Sequence, residues 1–209
     1  MKSLNSKKSN FMLKILLFGL LLSYGGCSDK TSQTKQAEKD AQATPREVTK
    51  PKPIVFEFAD SNGKNIKITF DNQKLVFNNF PDKIVMLDFF GKRCPPCLAE
   101  IPHLVEVQKK YKKDFVILGI QVQERMNVFD RASFIKSHNI NYIIVDDDKS
   151  WDFTSFIQQV TGWKGSIPFM LIFTPTGEIF IHYSGMAPQE MIEGDIKKLL
   201  KLYPSKSKK

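Results

Sequence analysis

The sequence predicts an α/β domain in which a central mixed β-sheet is flanked by helices and preceded by an N-terminal β-hairpin extension. Three observations predict it. Apolar runs rich in β-branched and aromatic residues, at 84–90, 114–122 and 142–145, alternate with longer stretches of helical character. Two further runs, 168–173 and 178–183, flank the turn Thr174-Pro175-Thr176-Gly177 and read as a hairpin. Near the start of the domain, 54–58 and 65–70 alternate apolar and polar residues around Asp60-Ser61-Asn62-Gly63-Lys64, a second hairpin.

Taken in order, the chain opens with Lys2, Lys7, Lys8 and Lys14, then the short apolar core Ile15-Leu16-Leu17-Phe18-Gly19-Leu20-Leu21-Leu22 and the small-residue stretch Ser23-Tyr24-Gly25-Gly26 before Cys27. That is the layout of an export signal over 1–26, too short to span a membrane comfortably. Gly-Gly-Cys resembles the bacterial lipobox, which implies a lipidated Cys27 as the first mature residue; Tyr24 departs from the usual Leu, Val or Ile. An uncleaved anchor or ordinary cleavage nearby is the alternative. Either way the domain faces an oxidising compartment beside a membrane. Residues 28–53 hold almost no large apolar side chains, so 27–53 read as a lipidated Cys and flexible tether with a reach on the order of 25–30 Å. The domain itself spans 54–203, and 204–209 form a basic tail.

Within the domain, 75–80 is ambiguous, Pro81-Asp82-Lys83 is a turn, and Ile84–Phe90 is a buried strand. A helix follows from Cys94, then the strand 114–122, a helix over 128–137, the strand 142–145, a helix over 152–160, the C-terminal hairpin, and an amphipathic final helix over 188–202.

The formal charge of +9 suggests nucleic acid only until it is mapped. Ten basic and four acidic residues lie in 1–53 and six lysines in 197–209. Removing them from totals of 31 basic and 22 acidic leaves 15 basic and 18 acidic residues in 54–196, a net charge of −3. No basic face interleaved with aromatics is present, so no nucleic-acid partner is expected.

The chemistry concentrates in Phe89-Phe90-Gly91-Lys92-Arg93-Cys94-Pro95-Pro96-Cys97, where a strand hands over to a helix. With Cys27 accounted for as an anchor, the three cysteines leave one pair. Cys94 sits at the positive end of the helix dipole, beside backbone N–H groups and next to Lys92 and Arg93, which favours thiolate over thiol. Cys97, one turn inside, is expected to be shielded. This asymmetry suits two-step exchange, with a mixed disulfide at Cys94 resolved by Cys97. A structural disulfide closing so small a ring would add little stability. A metal site would need more ligands than the isolated His103, His138 and His182 supply. A peroxidase would want a Thr shortly before its Cys, and 89–93 contain none.

Val85-Met86-Leu87-Asp88-Phe89-Phe90-Gly91-Lys92-Arg93-Cys94-Pro95-Pro96-Cys97, Pro102, Ser166-Ile167-Pro168 and Thr176-Gly177 together resemble the thioredoxin superfamily, and within it the membrane-tethered TlpA/ResA-like thiol–disulfide oxidoreductases. The resemblance implies a thioredoxin-like fold with Cys94 as nucleophile and Cys97 as resolving cysteine. It implies Ile167 and a cis Pro168 as the partner-binding loop, and Asp88 and Glu100 as candidate general bases. Pro102 matches the family's helix kink. The only cofactor implied is the redox-active Cys94–Cys97 disulfide, with no metal. The implied partners are protein thiols or disulfides and an inner-membrane electron donor. The implied place is the periplasmic side of a bacterial membrane, lipid-anchored, as a monomer. Ile167 before Pro168, the tether and Glu100 favour a reductase, as in relatives that keep apocytochrome c thiols reduced. A disulfide oxidase or isomerase, or a redox-silent metallochaperone or assembly factor on the same fold, is the alternative. Arg93 stands where the family commonly has Trp, which should make the rim more basic.

Overall fold

A computed structural model describes residues 51–204. The elements are β1 (Ile54–Ala59), β2 (Asn65–Asp71), β3 (Lys74–Phe77), β4 (Ile84–Phe90), α1 (Pro95–Tyr111), β5 (Phe115–Gln121), α2 (Val128–Ser137), β6 (Ile143–Val145), α3 (Ser150–Thr161), β7 (Phe169–Phe173), β8 (Ile179–Ser184) and α4 (Gln189–Leu202). The expected signal, Cys27, most of the tether and most of the basic tail lie outside the described residues. Residues 51–53 are exposed and without regular structure.

The central sheet has the order β6-β5-β4-β7-β8. Strands β4, β5 and β6 run parallel, while β7 is antiparallel to β4 and β8 to β7. Every residue of β4, β5 and β7 is buried, as expected for strands covered on both faces. The odd residues of β4, Val85, Leu87 and Phe89, pack with α3 and the N-terminal strands. Ile84, Met86 and Phe90 pack with α1, α4, Cys94 and Cys97. Asp88 shares this second, α1-facing side, because side chains alternate along a strand.

The N-terminal extension is a three-stranded sheet, β1-β2-β3, rather than a hairpin alone. The ambiguous stretch supplies β3, whose Leu75 and Phe77 face the core. Among the described residues, two backbone hydrogen bonds help tie the extension to the central sheet. The Ser61 amide donates to the Ile144 carbonyl (2.8 Å), beside a lone bridge between Asp60 and Val145 on the outer strand β6. The Leu75 amide donates to the Gly177 carbonyl (2.8 Å). Gly177 has φ +84°, and a β-carbon there would sit 2.3 Å from the Leu75 oxygen, so only glycine serves this turn.

Candidate active site

The central strand β4 delivers its last residue, Phe90, to one end of the sheet, and Gly91–Cys94 turn the chain into α1, with the Cys94 amide donating to the Gly91 carbonyl (3.1 Å). Cys94 is the N-cap of α1, and Pro95 and Pro96 occupy the first two helical positions. Cys94 and Cys97 are joined in a disulfide with Cα atoms 5.2 Å apart. Cys94 is 6 % exposed and Cys97 3 %, so the expected shielding of Cys97 is only slightly greater than that of Cys94.

The Cys94 sulfur accepts from the Cys97 amide (3.3 Å). Pro95 and Pro96 have no N–H, so the helix N-terminus presents fewer donors to Cys94 than its dipole suggests. The expected basic rim is also corrected. The Arg93 guanidinium is paired with Glu124 (2.8 Å), with both side chains exposed. Nearby, Arg125 pairs with Asp148 and Arg131 lies 3.8 Å from the buried Asp146 carboxylate. The cations on this side meet anions supplied by the β5–α2 loop and the segment after β6.

Glu100 is not a solvated helix carboxylate. It lies three residues after Cys97, on the same face of α1, and is 1 % exposed. Its Oε1 accepts from the Ala187 amide (2.8 Å) and its Oε2 has no hydrogen-bond partner. Burial pushes its pKa up from 4.5 to about 7, against the opposing effect of the Ala187 N–H. Asp88, 2 % exposed, has an unpartnered Oδ1. Burial first, and then the charge of Glu100, hold its carboxyl well above the usual range. Tyr142 belongs to the same cluster. Its phenol is held protonated by burial and then by the Asp88 and Glu100 charges. Its ring lies 3.1 Å from where Gly119, the strand neighbour of Asp88, would carry a β-carbon.

The Ile167–Pro168 peptide is cis. Pro168 is buried and leads into β7, whose Phe169 pairs with Phe89 at the end of β4. Ile167 is half-buried and packs on the core that contains both cysteines. The Gly185 amide donates to the Pro168 carbonyl (2.9 Å), and two residues on Ala187 binds Glu100. One loop, Gly185–Pro188, thus joins the cis-proline turn to the carboxylate on α1. The structure therefore gathers Cys94, Cys97, Asp88, Glu100, Ile167 and Pro168 at one end of the sheet. Pro102 falls inside α1, exposed.

Two residues of this region carried no sequence signal. Tyr142 reads as an ordinary strand aromatic. Gln123, in the β5–α2 loop, accepts from the Arg93 amide through Oε1 (3.0 Å). A glutamine in a loop has no pattern that marks it.

The fold and the paired cysteines define a thiol–disulfide oxidoreductase of thioredoxin-like architecture. The chain belongs to the AhpC/TSA family, which it matches over residues 55–191. It is similar to the thiol–disulfide oxidoreductase ResA of Bacillus subtilis (strain 168), 26% identical over 140 residues, covering 66% of this chain and 68% of that protein. Its similarity to ResA of Bacillus thuringiensis (strain Al Hakam) is 23% over 198 residues, covering 92% of this chain and 98% of that one. Among solved structures, a thiol:disulfide interchange protein of the thioredoxin family from Chlorobium tepidum superposes with a TM-score of 0.55 at 22% identity, covering 74% of this chain and 95% of that one.

Proposed function

We propose that this oxidoreductase works as a reductase of protein disulfides on the outer side of a bacterial membrane, held there by a lipid on Cys27 and recharged by a membrane electron donor. In the forward cycle the Cys94 thiolate attacks a sulfur of the target disulfide, and the other target sulfur leaves as a thiolate. Cys97 then loses its proton and attacks the Cys94 sulfur. The second target thiolate departs, and the Cys94–Cys97 disulfide remains, two electrons having passed to the target. The donor returns them. Glu100, titrating near 7, is the acceptor for the Cys97 proton at neutral pH. Asp88, whose carboxyl burial and the Glu100 charge hold well above the usual range, is the acid that neutralises Cys97 when the donor reopens the disulfide. Ile167 and Pro168 line the partner backbone. The resemblance to TlpA/ResA-like proteins makes a disulfide between the haem-binding cysteines of apocytochrome c a natural substrate.

One observation carries the direction. The amide donated to the Cys94 sulfur is that of Cys97, and two prolines occupy the positions where further donors would stand. Oxidising members of such folds owe their power to a strongly stabilised thiolate in the reduced form. Here the donors are few, Arg93 is paired with Glu124, and the two buried carboxylates Asp88 and Glu100 lie on the same side of the sheet as the cysteines. Each withdraws support from the thiolate, so the disulfide is favoured and the dithiol is reducing. A glutathione-buffered titration should give a potential of about −250 mV or lower; one at or above about −150 mV overturns the reductase. Cys94→Ser should abolish insulin reduction. Labelling with a fatty-acid analogue should mark the wild type and not Cys27→Ala; label that survives the substitution removes the anchor.

A further inference from the structure

Beyond Phe90, the backbones of β4 and β5 part, yet the connection between them continues. The last strand pair is Phe90 with Gln121, and the Val122 amide still donates to the Phe90 carbonyl (2.9 Å). The next link is a side chain: Gln123 Oε1 accepts from the Arg93 amide (3.0 Å). The Gln123 side chain runs through the space that a residue larger than glycine would fill at 91. A β-carbon on Gly91 would lie 2.2 Å from Gln123 Cδ and 2.6 Å from Cγ. Gly91 has no positive φ, so its small size, not its backbone freedom, is what the position uses. Gln121 braces the loop in turn, its Nε2 donating to the Glu124 carbonyl (3.3 Å). Glu124 closes the clasp by pairing with the Arg93 side chain.

We propose that Gln123 is a positioning residue for the redox pair: through the gap left by Gly91 it fixes the Lys92–Arg93 peptide, at the centre of the turn that ends in Cys94, and so aims the Cys94 sulfur at its target. The inference rests on Cys94 as the attacking sulfur. Thiol–disulfide exchange needs three sulfurs in line, and a misplacement of about 1 Å in such a reacting geometry costs on the order of a hundredfold in rate. The Gly91–Cys94 turn carries the nucleophile outside the regular sheet. Its internal bond, Cys94 amide to Gly91 carbonyl, leaves the Arg93 peptide free to rotate. Gln123 takes up that freedom.

The experiment compares wild type, Q123M, Q123E, G91A and C94S in the reduction of insulin by dithiothreitol, with thermal midpoints and the pH dependence of Cys94 alkylation. Q123M fills the same space without an acceptor and should lower kcat/KM about tenfold at an unchanged midpoint. Gly91→Ala expels the same side chain and should show the same loss. Q123E restores the acceptor and so most of the rate, while its charge moves the Cys94 alkylation profile to higher pH. A wild-type rate in Q123M, or Q123M and Q123E equally slow, overturns the positioning role. So does a loss of rate that tracks a fall in thermal midpoint across the series. If C94S keeps the wild-type rate, the reading of Cys94 fails instead, whatever Gln123 does.

Discussion

Glu100 offers the sharpest test of the site, because its burial has a thermodynamic signature independent of any substrate. Its folded-state pKa stands at about 7 against 4.5 for an ordinary glutamate. Between those values the unfolded chain gives up the proton while the folded protein keeps it. The folded state therefore binds more protons, and stability falls as pH rises from about 4.5 to 7, then levels. At ~1.4 kcal/mol for each tenfold in acidity, the loss is about 3 kcal/mol once pH is well above 7. Glu100→Gln keeps an oxygen for the Ala187 amide but cannot ionise. Its new amide group faces the unpartnered side of the carboxyl, at a pH-independent cost of about 1–2 kcal/mol. The variant should therefore be less stable than wild type at pH 4 and more stable at pH 8.5. The difference between the two proteins should swing by about 3 kcal/mol across that range. Urea titrations of the oxidised proteins, followed by the fluorescence of the buried Trp163, measure it. A difference that stays constant with pH refutes the burial of an ionisable Glu100. The same variant should slow mixed-disulfide resolution, seen as accumulation of the Cys94 adduct.

Two further outcomes follow from the helix start and the docked extension. Pro96→Ala restores an N–H at the second helical position, where N-cap side chains accept; one more donor to a thiolate, about 1.5 kcal/mol, should raise the pair's potential by about 30 mV and lower the Cys94 pKa. An unchanged potential in the glutathione titration would show that the missing donors do not set the direction. Gly177→Ala combines a left-handed backbone with a clash at the Leu75 oxygen, and should cost about 2–3 kcal/mol in urea denaturation; a loss under about 0.5 kcal/mol would mean the N-terminal sheet is not anchored there.

Much of the fold was legible because the apolar periods were clean and bounded by turn chemistry. The strand Ile84–Phe90 and the helix Val128–Ser137 appear where the sequence places them. The strand Lys74–Phe77 was not legible: four residues carry too little alternation to separate a strand from a loop. Within the site, Cys94-Pro95-Pro96-Cys97 could be read directly from its spacing at a strand-to-helix junction, whereas the cis Pro168 was implied by the thioredoxin resemblance. The missing N–H groups were also there to be read, because two prolines remove two donors whatever the fold. What could not be read was pairing at a distance. Glu100 looks solvated on a helical wheel, and a loop 87 residues away buries it. Arg93 looks like a basic rim, and Glu124, 31 residues on, neutralises it. Gln123 acts through a glycine whose meaning depends on which side chain occupies the gap.

Asp88 and Glu100 are best understood as one coupled system rather than two bases. No cation is paired with either among the described residues, and each is pushed upward first by its own burial. The second cause acting on Asp88 is the charge of Glu100. The charge of Glu100 thus adds to burial in holding the Asp88 carboxyl above its ordinary range. In the proposed cycle Glu100 is the group that accepts a proton and Asp88 the group that donates one. Glu100→Gln removes the charge and leaves Asp88 as buried as before. The Asp88 titration, followed by carbon-13 NMR of its carboxyl in the oxidised protein, should then move to lower pH while staying above the ordinary aspartate range. A midpoint unchanged from wild type would show that burial alone governs Asp88, and the division of roles between the two carboxylates would fall with it.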